Sequence, residues 1–456
     1  MSTIELRGRR RTVASRAAAL LALALVAAGC SKDKLLEVND PNVLLPGQVN
    51  SKDGLPVAYA GALSDVTLAY GGSGGGPLTE GIINLSGLFT DEFTISETFP
   101  DRIDIDRHTI NTSNEPENDG LTLNFRQLHK ARVSAEQAAA DYAQYDANNA
   151  KHAEVLDWAG YTYIMFAENF CSGVPFSTLD ANGIDKHFGE PATTAAMYDT
   201  AIARFNAALA ISGATANEKN LASLGLARAE LGLGQFAAAG AAAASVPSSF
   251  VYRLRHSSNS NRENSGVWSF GRSIGRWTIG EKDGGVGLPF RSQADLRTPF
   301  ARDTIGGRAA VGFDKATPLF FSTKYATRDS SDILASGTEA RLIEAEAALQ
   351  AGDAATWLAK LNGLRAGVGL AALTDPGTPG GRTDLHFQER AWWLQLTAHR
   401  LGDMRREVKS FSTPTSAVYP SGAYFKGANY GPNLELPIPL DEVNNPNFTQ
   451  CLDTGV

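Results

Sequence analysis

Apolar residues recur at helical spacing between Asp119 and Ala244. Ala201, Phe205 and Leu209 stand at positions i, i+4 and i+8, the spacing that places side chains on one buried face of a helix. Short polar breaks separate such stretches, so the pattern predicts a series of consecutive helices. We place a first helix at 55–70 and the series at 121–145, 150–170, 193–211, 218–231 and 235–244.

A second helical block begins near Asp332. Its first helix should end at Gly352, because glycine adopts the left-handed conformation that terminates helices. Trp357 and Leu361 then start a new apolar face, and a similar pattern of small residues and a turn surrounds Gly234. Two helices joined in this way resemble a tetratricopeptide (TPR) unit. Their recurrence predicts helical hairpins that stack on one another.

Residues 247–330 have a different character, with many Ser, Asn, Gly and Arg residues and interspersed aromatic ones. We predict that Trp268, Trp277 and Phe270 contact a ligand, because a flat ring among glycine and polar neighbours can stack on a sugar. The alternative is that these rings anchor the loops on the helices. The remaining tryptophans stand in helical patterns and are predicted to be core residues: Trp158, Trp357, Trp392 and Trp393.

Residues 1–29 have the pattern of an export signal. Five arginines precede an apolar stretch that is too short to span a membrane comfortably. Ala27-Ala28-Gly29-Cys30 follows and resembles a bacterial lipobox, in which the cysteine is lipidated. An ordinary secretory signal with an incidental cysteine is the alternative. Residues 30–56 are polar with three prolines and are predicted to form a lipidated tether.

Composition narrows the function classes. A chain of 456 residues with 43% hydrophobic residues can bury a large core. Its formal net charge of −8 makes it a poor nucleic-acid binder. In an exported protein, Cys171 and Cys451 are candidates for one disulfide, and two buried free thiols are the alternative.

Three ordered motifs carry a resemblance to a known family. Residues 389–406 contain an ER…HR…DxRR pattern, and 361–370 read LNxxRxxxGL. A PIP…NPxxxQ ending covers 437–450. Together these segments resemble the SusD/RagB family of surface lipoproteins. One departure is Thr397-Ala398, where an acidic residue and glycine are common in that family.

The resemblance implies a mainly α fold, a TPR-like solenoid of helical hairpins with a loop-rich face for a ligand or partner. Residues 57–456 would form one SusD-like domain, with TPR-like helices at about 119–246 and 332–410 and a loop-rich insertion at about 247–330. The implied function is that of a lipid-anchored outer-membrane protein, exposed at the surface, that binds an oligosaccharide or peptide. It would deliver this nutrient to a SusC-like TonB-dependent transporter.

We find no pattern for catalysis, a metal site or a cofactor. Paired carboxylates for glycoside hydrolysis, zinc-ligand spacing and a nucleophile elbow are missing from the sequence. Residues 389–406 are predicted to form a single helix. Its charged residues have helical spacing and are predicted to form structural ion pairs: Glu389, Arg390, His399, Arg400, Asp403, Arg405 and Arg406. The competing function class is a TPR-type interaction scaffold, or a peptide-binding lipoprotein, without a glycan site.

Overall fold

The backbone of the computed structural model is mainly helical, as the pattern predicts. The structure describes residues 51–74, 80–112, 119–179, 186–453 and 455. The predicted signal peptide, Cys30 and most of the predicted tether therefore lie outside the described residues. The longer helices are α1 Leu55–Gly71, α2 Ile82–Phe89, α3 Pro100–Asp106, α4 Asp119–Tyr145, α5 Ala150–Asn169, α6 Thr194–Ala210, α7 Ala216–Gly232, α8 Phe236–Ala244, α9 Gly337–Gln350, α10 Ala354–Gly367, α11 Pro379–Trp393 and α12 Arg400–Phe411.

Helices α4 to α10 form the predicted solenoid of hairpins, since each packs against the next along the chain. The predicted turns are confirmed. Gly352 has φ 76° and Gly234 has φ 73°, the left-handed conformation that glycine adopts most readily. Asp353 then caps α10 by accepting a hydrogen bond from the Thr356 amide at 2.9 Å.

The segment between α8 and α9 is rich in loops and carries only short strands. Its two ends are tied together by β6 Val251–Leu254 and β12 Asp332–Ser336, which pair antiparallel. Strand β7 Trp277–Ile279 belongs to this insertion but pairs antiparallel with β1 Phe93–Ile95, which lies outside it. The other two-stranded pairs are also antiparallel: β2 Val174–Pro175 with β5 Pro191–Ala192, β3 Thr178–Leu179 with β4 Lys186–His187, β8 Phe300–Ala301 with β11 Phe321–Ser322, and β9 Thr304–Ile305 with β10 Arg308–Ala309.

The charged segment 389–406 is two helices rather than the single helix we predicted. Helix α11 ends at Trp393 and α12 begins at Arg400. Between them, Leu396 and Ala398 have φ 57° and 55°, so the backbone leaves the helical path. Ala398 is a position where the SusD/RagB pattern often has glycine, a residue that takes this conformation without strain.

The predicted structural ion pairs are present, but most join residues that are far apart in sequence and lie on different elements or loops. Arg390 of α11 makes a bidentate pair with Asp403 of α12, at 2.8 and 2.9 Å. Arg406 bonds both Asp403, at 2.9 Å, and Glu346 of α9, at 2.9 Å. Only the Asp403–Arg406 contact has the helical spacing we expected. Because all four side chains are buried, the network fixes how α9, α11 and α12 pack.

The C-terminal segment is attached to the loop after α5. Cys171 and Cys451 are bonded as a disulfide. The Cys171 amide donates to the Leu436 carbonyl at 2.9 Å, and the Leu452 amide donates to the Ser172 carbonyl at 2.7 Å. In the described part of the chain, no helix has the length and apolar character needed to cross a membrane.

Candidate ligand-binding face

Three loop segments meet beside the β1–β7 pair and are joined by backbone hydrogen bonds. The Ser96 amide donates to the Arg276 carbonyl at 2.8 Å, which extends the strand pairing. The Phe313 amide donates to the Gly275 carbonyl at 2.8 Å, and the Asp314 amide donates to the Ser96 carbonyl at 2.9 Å. Residues that are far apart in sequence are therefore held on one rigid platform.

Two phenylalanine rings lie at the surface of this platform, and we call Phe99 and Phe313 the aromatic pair. Their side chains are 39% and 40% exposed, and their ring centroids are 5.9 Å apart with an interplanar angle of 27°. Phe99 precedes Pro100, which starts α3, while Phe313 lies in the loop after β10. Apolar rings of this kind are normally buried, so a stacked pair at the surface suggests a contact site.

Arginine side chains lie against the aromatic pair. The Arg276 guanidinium carbon is 5.0 Å from the Phe99 ring centroid and 5.8 Å from that of Phe313. Arg102 contacts the Phe99 ring from 5.8 Å. These distances are typical of cation–π interactions, which hold the guanidinium groups next to the rings. The Arg276 side chain remains 22% exposed, so part of it is accessible to a ligand.

Glu97 is buried beneath the two arginines. Its carboxylate oxygens lie 3.1 Å from Arg276 Nε and 3.5 Å from Arg102 Nε. Neither oxygen accepts a hydrogen bond from a described residue. Burial raises the pKa of the Glu97 carboxyl to about 8, and the charges of Arg276 and Arg102 oppose that rise. Arg102 is also fixed by Asp101, at 2.9 Å, and by Glu80.

A third exposed ring, Phe425, belongs to a loop that is attached to the same platform. Its side chain is 52% exposed. The neighbouring Lys426 ammonium donates to the Asp314 carboxylate and to the Glu97 carbonyl, each at 2.7 Å. Three exposed rings, partly accessible cationic groups and a preformed backbone thus occur together, an arrangement that can bind a ligand with both apolar and hydroxylated surfaces.

Comparison with known proteins identifies the architecture. No family model matches the chain, and no curated protein matches it. A SusD superfamily structure from Bacteroides thetaiotaomicron VPI-5482 superposes with a TM-score of 0.65 at 15% identity, over 88% of this chain and 100% of the other. A SusD superfamily structure from Parabacteroides distasonis ATCC 8503 has a TM-score of 0.63 at 16% identity, over 88% and 98%. A SusD-like carbohydrate-binding protein from Bacteroides fragilis NCTC 9343 has a TM-score of 0.62 at 14% identity, over 88% and 99%.

The chain has the SusD-like fold. Nearly the full length of these structures is matched, so the resemblance noted in the sequence motifs extends to the whole architecture. At 13–17% identity the similarity concerns the fold, and the ligand must be argued from this chain's own residues.

Within this SusD-like fold, two of the three predicted ligand residues lie inside the core. Trp277 is 0% exposed and Phe270 is 3% exposed, so the prediction that they contact a ligand is wrong. Trp277 lies on β7, which is covered by its neighbours, and its ring packs 5.6 Å from that of Phe270. Phe270 in turn lies 5.5 Å from the Arg276 guanidinium. The two rings therefore pack against the buried side of the platform.

Trp268 is the predicted ligand residue that remains partly exposed. It borders a surface pocket of about 360 Å³ together with Arg272, Asp303 and Arg328. The Arg328 guanidinium lies 5.4 Å from the indole, and Arg272 pairs with Asp303 at 3.0 Å. This open pocket offers a ring, donors and an acceptor, and it stays a candidate ligand contact.

The helical tryptophans divide into two groups. Trp158, Trp357 and Trp392 are buried, as predicted. Trp393 is only partly buried: it packs against the smaller core cluster around Trp357 and also borders a pocket. Its position at the end of α11 exposes one side of the indole, which a helical pattern in sequence does not reveal.

Neither member of the aromatic pair is among the ligand residues predicted from the sequence. Phe99 stands before a proline that starts a helix, and Phe313 stands between glycine and aspartate. Proline, glycine and aspartate favour turns, which lie at the surface. These neighbours are therefore the sequence signal that could have predicted exposed rings at Phe99 and Phe313. In the described ranges, no cluster of His, Cys, Asp and Glu has the geometry of a metal site.

Proposed function

We propose that the protein binds an oligosaccharide on the aromatic pair. The observation that carries this proposal is the exposed stack of Phe99 and Phe313 on a rigid platform with Arg276 beside it. A pyranose has an apolar face of C–H groups that packs on aromatic rings and an edge of hydroxyl groups that accept hydrogen bonds from guanidinium groups. The pocket at Trp268 is a candidate second contact for a longer chain.

The comparisons support a carbohydrate ligand, because a matched structure from Bacteroides fragilis is described as a SusD-like carbohydrate-binding protein. We further propose that the chain is a surface lipoprotein anchored through Cys30, which passes its ligand to a SusC-like TonB-dependent transporter. Capture and release of this kind need modest affinity and no covalent step, so the proposed role is non-enzymatic.

The test is a glycan panel probed with the purified protein and with Phe99→Ala, Phe313→Ala and Trp268→Ala. Phe188→Ala is the matched control, since Phe188 is 44% exposed and outside the platform. We expect at least one oligosaccharide to bind the parent and the control, and its signal to fall in both variants of the aromatic pair. Loss of binding in Trp268→Ala as well would extend the site to the pocket at Trp268.

Two results would overturn the proposal. Oligosaccharide binding that survives both phenylalanine substitutions would place the site elsewhere. Absence of binding across the panel, together with capture of peptides, would favour the peptide-binding or interaction-scaffold class instead.

A further inference from the structure

A further pocket lies beside Trp393. It shares no lining residue with the Trp268 pocket, and neither Phe99 nor Phe313 lines it. We call it the Trp393 pocket. Its volume is about 420 Å³, within the range of small-molecule sites. It is formed where the paired strands β6 and β12 meet the loop around residue 296, the residues that follow β11 and the end of α10. Arg253, Leu296, Lys324, Val368 and Trp393 are the residues on which the inference depends.

The rim of this pocket is apolar and exposed. Leu296 is 71% exposed, the highest value among the large hydrophobic residues that the structure describes, and Val368 is 47% exposed. A single exposed leucine is ordinary. Two exposed aliphatic side chains that border one pocket together with an indole form a surface that gains free energy when an apolar group covers it.

The indole of Trp393 is held in place before any ligand binds. The Arg297 guanidinium lies 5.0 Å from the ring. Arg297 is itself fixed by hydrogen bonds to Asp295, at 2.8 Å, and to Glu389, at 2.6 Å. Arg365 bonds the same Glu389 carboxylate at 2.6 Å. Because this network immobilises the indole, a ligand would lose little free energy in ordering the site.

The charge of the pocket is positive and only partly compensated. None of its described lining residues is acidic, whereas three are basic. Asp295 and Glu389 neutralise Arg297 from behind. Among the described residues, the Lys324 ammonium donates only to the Gln395 carbonyl, at 3.1 Å, and makes no ion pair within 4 Å. Burial lowers the pKa of Lys324 to about 8, and the charges of Glu92 and Asp295 oppose that fall. The Arg253 side chain has neither a hydrogen-bond nor an ion-pair partner in the described part of the chain.

We propose that the Trp393 pocket binds a small carboxylate that carries an apolar body, such as an aryl or branched alkyl group. The carboxylate would be bound between Lys324 and Arg253, which supply charge-assisted hydrogen bonds. The apolar body would cover Trp393, Leu296 and Val368. Two neighbouring cations without ion-pair partners among the described residues would attract an anionic ligand, although the chain as a whole has a formal net charge of −8.

The experiment is calorimetric titration of the purified full-length protein with phenylacetate and with N-acetyl-leucine. Each is compared with its neutral amide, phenylacetamide or N-acetyl-leucinamide. We expect at least one carboxylate to bind, with its amide weaker by about tenfold or more, because the amide lacks the charge. The affinity of the carboxylate should fall as sodium chloride is raised.

Substitutions locate the binding. Arg253→Gln and Lys324→Met should each weaken the carboxylate by about fivefold or more, since each removes one of the two cations. Leu296→Ser should weaken acid and amide alike. Arg308→Gln is the matched control, an exposed arginine outside the pocket whose loss should leave binding unchanged. Arg253 is exposed, so its substitution tests the site without risk to the core.

The proposal is overturned if neither carboxylate binds more tightly than its amide, or if Arg253→Gln binds as the parent does. Tighter binding of glucuronate than of phenylacetate would also overturn it, because glucuronate lacks the aryl or branched alkyl body that the proposal requires. None of these outcomes depends on the aromatic pair, so this test and that of oligosaccharide binding fail independently.

Discussion

Glu92 is a single buried carboxyl group that lies against the segment joining α11 to α12. Its Oε1 accepts a hydrogen bond from the Leu396 amide at 2.8 Å, and its Oε2 has no partner among the described residues. Burial raises its pKa to about 8, from an ordinary value of 4.5, because the carboxylate form loses its hydration. The folded protein therefore keeps this proton at a pH where the unfolded chain has released it.

This shift makes stability depend on pH. As pH rises from about 4.5 to about 8, only the unfolded state ionises at Glu92, so the free energy of unfolding falls across that window. Glu92→Gln cannot ionise, yet it can still accept the Leu396 hydrogen bond. We expect this variant to match the parent closely at about pH 4.5 and to exceed it by on the order of 5 kcal/mol at about pH 9. Urea unfolding followed by circular dichroism measures both, and parallel profiles for the two proteins would contradict the expectation.

At the residue scale, sequence predicts which tryptophans lie in helices but not which rings are covered. Trp277 and Trp268 both have glycine close by in the sequence. In the fold, β1 and Phe270 cover Trp277, whereas Trp268 stays partly exposed. Phe99 and Phe313 are more than two hundred residues apart, and only tertiary contacts bring them together. Local sequence carries no record of that contact.

Close helix packing in the solenoid depends on particular glycines. Phe205 of α6 fits between Gly160 of α5 and Gly225 of α7. A methyl group at Gly160 would lie 2.7 Å from the ring, and one at Gly225 would overlap it. The absence of a side chain at these positions lets the three helices approach one another.

Gly225→Ala should therefore destabilise the protein by about 1–3 kcal/mol, the usual cost of overpacking a core. Gly363→Ala is the matched control, because Gly363 is an exposed glycine within α10 and has open space around it. That substitution should stabilise by about 0.5–1 kcal/mol, since alanine favours the helix. Chemical denaturation separates the two, and changes of the same sign would show that the packing at Phe205 is not tight.

The buried ion-pair network links α9, α11 and α12, and its partners depend on one another. Asp403→Asn should destabilise the protein by about 3–5 kcal/mol, because Arg390 and Arg406 would both lose a charged partner in the interior. The partly exposed pair of Arg382 and Asp375 provides the control, and Asp375→Asn should have a far smaller effect. Denaturation midpoints compare them. Equal shifts would mean that the buried network does not hold the helices together.

At the element scale, helical periodicity located α4 to α8 to within two residues at each end. Periodicity predicts α11 and α12 as a single helix, because the segment from Leu394 to His399 contains neither glycine nor proline. The break arises from positive φ angles at Leu396 and Ala398. The buried hydrogen bonds that Tyr325 and Tyr70 donate to the Leu396 and Thr397 carbonyls stabilise that path.

At the scale of the whole molecule, a disulfide ties the C-terminal segment to the loop after α5. The Cys171–Cys451 disulfide joins positions separated by 280 residues, so it restricts the unfolded chain strongly. Replacing both cysteines with serine should lower the free energy of unfolding by about 2–5 kcal/mol. It should also speed proteolysis within residues 437–453. An unchanged midpoint and an unchanged digestion pattern would show that the backbone contacts at Leu436 and Leu452 suffice.

At the scale of the molecule, the motifs in 361–370, 389–406 and 437–450 were enough to predict the SusD-like fold, which the structural matches confirm. They carry no information about the ligand. The loop-rich face is positioned by long-range hydrogen bonds such as that from Asp314 to Ser96, which sequence periodicity does not encode.

The central claim is that the aromatic pair binds an oligosaccharide, and calorimetric titration with a glycan selected from the panel tests it most directly. We predict that Phe99→Ala and Phe313→Ala each weaken binding by about tenfold, equivalent to the loss of roughly 1.4 kcal/mol of stacking free energy. Phe188→Ala should bind as the parent does. Equal affinity in all four proteins, with the fold intact by circular dichroism, would contradict the claim.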